Sequence, residues 1–323
     1  MKPRRRTKRR PAPAPLDPRR VRTVPLGRRP SKVEKGLLGA PVRAGRAMRA
    51  FLRGLPDILG ARDLRIAAEK IATAIRRGRP VVLGMGAHPI KVGLGPLIVD
   101  LLERGRLAAV AMNGACLVHD FELAWGGKTS EDVGPGLDRG LFGMARETGE
   151  FLNRATSDGV TAGLGLGRAV GAAILRARLP FRRTSILAAC ARLDLPATVH
   201  VAVGTDIIHM HPSADGAAIG EGSLRDFRVL SAVVGRLDGG VYLNLGSAVI
   251  MPEVFVKALN LARNVGHRVR RVTTVDMDFI RHYRPGVNVV ARPTAIGGLG
   301  IRLTGHHEIM FPLLWSAVEE ALR

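Results

Sequence analysis

From residue 81 onward the chain alternates short apolar runs with longer segments of helical period, and few folds accommodate that pattern. Residues 81–84, 107–112, 197–203, 241–245, 272–275 and 287–290 read as strands. Between and after them, residues 92–104, 117–124, 147–153, 166–178, 224–237, 252–265 and 309–322 read as helices. The strands are mainly apolar runs rather than strict alternations, as expected for strands buried on both faces of a parallel sheet. The pattern predicts an α/β protein with a doubly wound, mostly parallel, Rossmann-like sheet. Residues 40–55 and 62–76 place apolar side chains three and four apart and add N-terminal helices. The stretch from Gly126 to Gly140 reads as a long loop, where function tends to lie.

At 323 residues the chain can bury a large core, and no internal boundary or repeat divides it. Its net charge of +23 is unevenly placed: residues 1–30 carry twelve Lys or Arg against the single acid Asp17. That segment is rich in proline and has no apolar period. Residues 1–31 therefore read as a disordered basic tail and residues 32–323 as one domain. The tail is either a tether for nucleic acid or an anionic surface, or an extension without a role. No apolar run reaches the roughly 18–20 residues that span a bilayer, and no signal-peptide apolar region is present. The two cysteines, Cys116 and Cys190, supply neither a disulfide framework nor a cysteine-based metal site. A cytoplasmic protein with no membrane contact is expected.

The run Gly204-Thr205-Asp206-Ile207-Ile208-His209-Met210-His211 follows a strand, and ligands gather at the carboxyl ends of such strands. Other strand ends repeat its mixture of small and polar residues. Gly84-Met85-Gly86-Ala87-His88 and Gly246-Ser247 suit close approach of a phosphate to backbone at a helix start. Asn113-Gly114-Ala115 leads into His119-Asp120. An acid such as Asp276, in Thr274-Val275-Asp276, can accept hydrogen bonds from ribose hydroxyls, and Gly305-His306 precedes the last helix. One crevice holding a dinucleotide uses most of these residues. His119, with Asp120 beside it, and His211 are the candidates for proton transfer, since imidazole titrates near neutrality. A metal-dependent hydrolase built on His209, His211, His306 and His307 is the alternative, although no diagnostic metal spacing occurs and no metal ligand set is assigned. A non-catalytic nucleotide-binding protein is a second alternative.

In this order the motifs resemble the deoxyhypusine synthase family, in particular its bacterial deoxyhypusine synthase-like branch. The resemblance spans roughly residues 81–322 and includes Leu245-Gly246-Ser247-Ala248-Val249, Ala291-Arg292-Pro293 and Phe311-Pro312-Leu313-Leu314. It implies a homotetramer with NAD at subunit interfaces, and a transferase that begins by removing hydride from an amine of the spermidine type. By position, Gly84–His88, Asn113–Ala115, Asp206, Gly246, Ser247, Thr274 and Gly305-His306 would line the NAD site. His119 falls where the family has a glutamate beside the substrate. The family's imine-carrying lysine has no counterpart, because no lysine follows Lys257. Arg302 cannot replace it, since a guanidinium forms no Schiff base. The acidic stretch that grips a polyamine is replaced by Arg281-His282-Tyr283-Arg284, which repels one. The substrate and acceptor are therefore expected to diverge from the family's.

Overall fold

The computed structural model of the protein describes residues 19, 21–38 and 46–323. The strands in chain order are β1 (Ser31–Glu34), β2 (Val81–Met85), β3 (Ala109–Asn113), β4 (Lys128–Glu131), β5 (Ala197–His200), β6 (Val241–Leu245), β7 (Thr273–Asp278) and β8 (Leu299–Thr304). Helices α1 (Arg46–Gly54) and α2 (Leu59–Arg76) precede the main sheet. Helices α3 (His88–Lys91) and α4 (Gly95–Glu103) follow β2, and α5 (Ala115–Gly126) follows β3. Four helices lie between β4 and β5: α6 (Val133–Leu137), α7 (Arg146–Thr161), α8 (Leu166–Arg176) and α9 (Ile186–Arg192). Then α10 (Gly216–Val234) follows β5, α11 (Ile250–Asn264) follows β6, α12 (Tyr283–Pro285) follows β7, and α13 (His307–Leu322) follows β8.

Six strands form one sheet in the order β5-β3-β2-β6-β7-β8, and every neighbouring pair is parallel. Alternation of side chains along β2 shows why both faces must be covered. Val81, Leu83 and Met85 join the core shared with α2, α5 and α13, while Val82 joins Tyr242 and Phe255 beneath α10 and α11. Helix α13 presents Phe311, Leu314, Trp315 and Val318 to the first core, all buried at the three- and four-residue spacing of one helix face. Burying each such side chain contributes about 1.5–3 kcal/mol. The doubly wound, mostly parallel α/β architecture expected from the sequence is the one observed.

Three local expectations change. The basic tail is expected to reach residue 31; residues 1–18 and 20 lie outside the described residues, but residues 21–31 pack on the folded body. Leu26 is buried and its N–H donates to Glu147 Oε2 at 2.7 Å, and Arg29 is buried among carboxylates. Residues 287–290 form no strand: they lie in a π-helical turn (Gly286–Ala291), and β8 takes the sheet edge instead. The loop from Gly126 holds β4, which pairs antiparallel with β1 in a separate two-stranded ribbon.

Candidate functional site

Chain order departs outward from β2 through β3 to β5, then resumes on the other side of β2 with β6, β7 and β8. Strand order reverses between β2 and β6, and at the carboxyl edge of such a switch point the following loops diverge and leave a crevice. The Gly86 N–H donates to the Leu245 carbonyl at 3.1 Å, and the Gly246 N–H to that of Met277 at 3.0 Å. These bonds draw three strand ends together, and Gly246 makes its turn at φ +61°. Ser247 Oγ accepts the Met251 N–H at 3.1 Å in the first turn of α11. Helices α5 and α13 begin without a side-chain cap, whereas Ser185 caps α9 and Asp215 caps α10. The first N–H groups of α5 and α13 therefore remain for solvent or an anionic ligand.

Imidazoles gather on one side of this crevice. The His88 ring lies 5.3 Å from that of His307 and 5.7 Å from that of Phe279, and His306 stacks on Phe279 at 6.3 Å. Beneath them Asp278 Oδ1 accepts the Phe279 N–H at 2.8 Å and lies 3.5 Å from His307 Nε2. Burial works to raise the Asp278 carboxyl, but His307, the Phe279 N–H and His282 outweigh it and hold the group below its ordinary value. Burial, His307 and Lys91 lower His88.

On the other side of α3 a pocket of about 210 Å³ is lined by Lys91, Ala115, His119, Glu131, Thr205 and Asp206, among others. His119 reaches it from one turn into α5. His119 Nδ1 is 2.7 Å from Thr129 Oγ1, and Thr129 Oγ1 donates to Glu122 Oε2 at 2.6 Å. Glu122 also receives Thr148 Oγ1 at 3.1 Å and a buried ion pair from Arg29 at 2.6 Å. The single Thr129 proton goes to the Glu122 carboxylate, so Thr129 accepts from His119 Nδ1–H. His119 then carries a proton on Nδ1, and in the neutral ring the lone pair is on Nε2. Burial, then Lys91 and Arg29, push it down to about 3. Its ring stays neutral at physiological pH and serves as a hydrogen-bond acceptor.

Asp206 has the opposite character. It is buried, and burial pushes it up to about 6. Its side chain accepts the His209 N–H in a capping box, but Oδ2 has no hydrogen-bond partner and lies 4.0 Å from His209 Nε2. A Cβ on Gly114 would fall 1.9 Å from Asp206 Oδ2, so glycine there is what lets the carboxylate in. Of the two groups Asp206, raised to about 6, holds a proton more readily than His119, lowered to about 3.

Other expected site residues lie elsewhere. Asp120 is buried away from the pocket's lining and accepts Ser185 Oγ at 2.5 Å, the Ile186 N–H at 2.8 Å and the Leu187 N–H at 3.2 Å, anchoring the start of α9. His211 is buried too, with Nε2 3.0 Å from the Gly143 carbonyl and its ring packed against Gly149. Thr274 is second in β7, so about 13 Å of strand separates it from the carboxyl end at Asp278. Asp276 is occupied by the Asn244 amide at 2.8 Å inside the sheet, and Asp278 takes its place at the edge. Met85 is core, and Gly84 is small to admit Tyr242, whose Oη would lie 2.0 Å from a Cβ. Gly86, Ala87, His88, Gly246, Ser247, Gly305 and His306 stay at the crevice. Asn113 accepts the Cys116 thiol at 3.2 Å, while Gly114 and Ala115 adjoin the pocket.

The four-histidine metal alternative fails on topology. His209 and His211 follow β5, and His306 and His307 follow β8, at opposite edges of the six-stranded sheet. Five strand spacings, about 24 Å, separate those edges. Among the described residues no group of three or more His, Cys, Asp or Glu side chains converges as a metal site. Both cysteines are buried, and burial pushes the Cys190 thiol up to about 12 and Cys116 well up, away from a nucleophile's range. Lys91, Arg29, Glu122 and Thr129 were not singled out by the sequence, because α3 is one turn long and the buried ion pair joins residues 93 apart.

No family model matches the chain, and no curated protein matches it. Solved structures do match in fold. AgrE in ternary complex with ornithine and NAD+ aligns over 81% of this chain and 34% of its own, at 15% identity and a TM-score of 0.51. An LOR/SDH-type protein from Methanococcus maripaludis S2 aligns over 83% of this chain and 69% of its own, at 15% identity and a TM-score of 0.51. A protein assigned as a deoxyhypusine synthase from Entamoeba histolytica covers 85% and 96%, at 12% identity and a TM-score of 0.47. The chain spans about a third of AgrE's length. The two likenesses at a TM-score of 0.51 establish a shared α/β fold. No helix among the described residues is long and apolar enough to cross a membrane.

Proposed function

We propose that the protein is an NAD-dependent enzyme that removes hydride from a carbon bearing an amine. The observation that carries this reading is a buried carboxylate with an unpartnered oxygen, Asp206 Oδ2, in a small pocket beside the switch-point crevice. The crevice fits a dinucleotide: its strand ends are glycine-laced, α5 and α13 open on it uncapped, and Asp278 is an acid at a strand end. The sequence resemblance and the NAD+ held by AgrE support that choice. Gly86, Gly246, Ser247 and Asp278 would hold the dinucleotide, and NAD, when bound, supplies the hydride acceptor.

The chain's own residues handle the amine. A substrate ammonium gives a proton to Asp206, which frees the nitrogen lone pair to expel hydride from the adjacent carbon. The His119 Nε2 lone pair accepts a second N–H and fixes which face of that carbon turns toward the crevice. The iminium left on the substrate is then free for hydrolysis or for capture by an acceptor amine. The homotetramer that the resemblance implies belongs to this reading as well.

The deciding measurement is native mass spectrometry of the full chain, followed by identification of the small molecules released on denaturation. About one NAD per subunit, with absorbance at 340 nm appearing when amines are added, supports the reading. Protein that neither carries nor binds NAD overturns it.

A further inference from the structure

The pocket wall carries two unmatched charges of opposite sign. Asp206 Oδ2 is enclosed and without a hydrogen-bond partner. Lys91, on the same wall, has no carboxylate within ion-pair distance among the described residues. The other charges there satisfy one another: Arg29 bridges Glu122 at 2.6 Å and Glu131 at 3.2 Å, and Glu131 also receives the Gly143 N–H at 2.9 Å. A cavity of about 210 Å³ lined by one unpaired cation and one acid with an unpartnered oxygen is complementary to a small molecule bearing both charges.

We infer that the substrate is an amino acid, its ammonium held by Asp206 and His119 and its carboxylate by Lys91. The inference rests on the function proposed above only for where the reacting amine lies. A diamine or polyamine places a second ammonium against Lys91 in a confined space, where like charges repel. An uncharged amine leaves Lys91 facing the cavity unpaired. Only the zwitterion meets both charges. Lys91 further lowers His119, so a carboxylate that neutralises Lys91 makes His119 a better acceptor at the moment the amine is bound. In this arrangement Lys91 sets specificity, and the one-turn helix α3 places it there while turning His88 to the crevice.

The test compares each amino acid with its decarboxylated counterpart: L-alanine with ethylamine, and L-lysine with 1,5-diaminopentane. Calorimetric titration of the full chain, with and without NAD, gives the affinities. At least one amino acid should bind tenfold or more tightly than its counterpart. Lys91→Met should abolish that margin and strengthen diamine binding, and Lys91→Arg should keep it. Lys91→Met that fails to fold leaves Lys91→Arg and the wild-type comparison to decide. Counterparts that bind equally or better, or a margin that survives Lys91→Met, overturn the inference. NAD binding without amino-acid binding overturns it while the dinucleotide reading stands. Lys91-dependent amino-acid binding without NAD does the reverse.

Discussion

Replacing Asp206 with Asn should make the protein more stable and inactive at once. The Asp206 carboxyl rises from an ordinary 3.8 to about 6 because burial penalises its charge and Oδ2 has no partner to compensate. A folded-state value above the unfolded one means that the contribution to stability is fully present below pH 3.8. It is lost as pH rises through about 6. At pH 7 the ionised carboxylate therefore costs about 3 kcal/mol as an upper figure. Asparagine is neutral, nearly isosteric, and keeps the acceptor for the His209 N–H. Urea unfolding at pH 7 should show Asp206→Asn more stable than wild type by about 1–3 kcal/mol, and the gap should close by pH 4. Amine-dependent NADH production should fall at least a hundredfold, since asparagine takes no proton. An Asp206→Asn protein less stable than wild type at pH 7 refutes the reasoning, because it would show that the carboxylate is paired in the folded protein.

Thr129→Val removes the hydroxyl between His119 and Glu122 while keeping shape; stability should drop by about 1–3 kcal/mol, read as a Tm lowered by a few degrees, with turnover reduced about tenfold. Asp120→Ala leaves three buried donors at the start of α9 without an acceptor and should cost about 3–5 kcal/mol in chemical denaturation, yet NAD affinity measured well below the melting temperature should not change. Gly114→Ala sets a methyl 1.9 Å from Asp206 Oδ2, so turnover should fall sharply with a stability loss of about 1–3 kcal/mol. An active Gly114→Ala enzyme, measured by NADH absorbance, would show that the carboxylate need not sit where it does.

What the sequence makes legible follows from where the information is local. Residues 241–245 are apolar but for Asn244, and β6 spans them because a strand buried on both faces writes itself into consecutive residues. Strand β8 does not read as one, since Gly297, Gly298 and Gly300 at its start look like a turn and its exposed edge relaxes the apolar rule. Val287-Asn288-Val289-Val290 is β-branched, yet these residues wind into a π-turn because tertiary packing overrides propensity. In the site, Asp206 and His119 are legible from their place after strands. Asp120 and His211 carry the same residue types in equally suggestive places. Only their partners, the α9 amides and the Gly143 carbonyl, reveal structural duty, and those partners come from distant segments.

The comparison of buried acids carries this distinction further than residue type can. Asp226 is as enclosed as Asp206, and burial raises it to about 7, but Oδ2 receives the Gly167 N–H at 2.9 Å and the Val199 N–H at 2.7 Å. Asp120 is served by three donors. Both acids tie a helix start to its neighbours, and the bonds they accept offset part of a burial cost that still raises each of them, Asp120 to about 6. Among the buried carboxylates of the described residues, Asp206 alone has a fully enclosed oxygen with no partner. A fold stable enough to saturate Asp120 and Asp226 has the means to saturate Asp206 as well, for His209 Nε2 lies only 4.0 Å away. Instead His209 Nδ1 accepts the Gly204 and Asp206 N–H groups, burial lowers the ring, and its neutral form leaves the carboxylate uncompensated. The destabilised group lies at the carboxyl edge of the sheet, in a pocket also lined by Lys91, which has no carboxylate within ion-pair distance among the described residues, so a ligand can supply the missing partner.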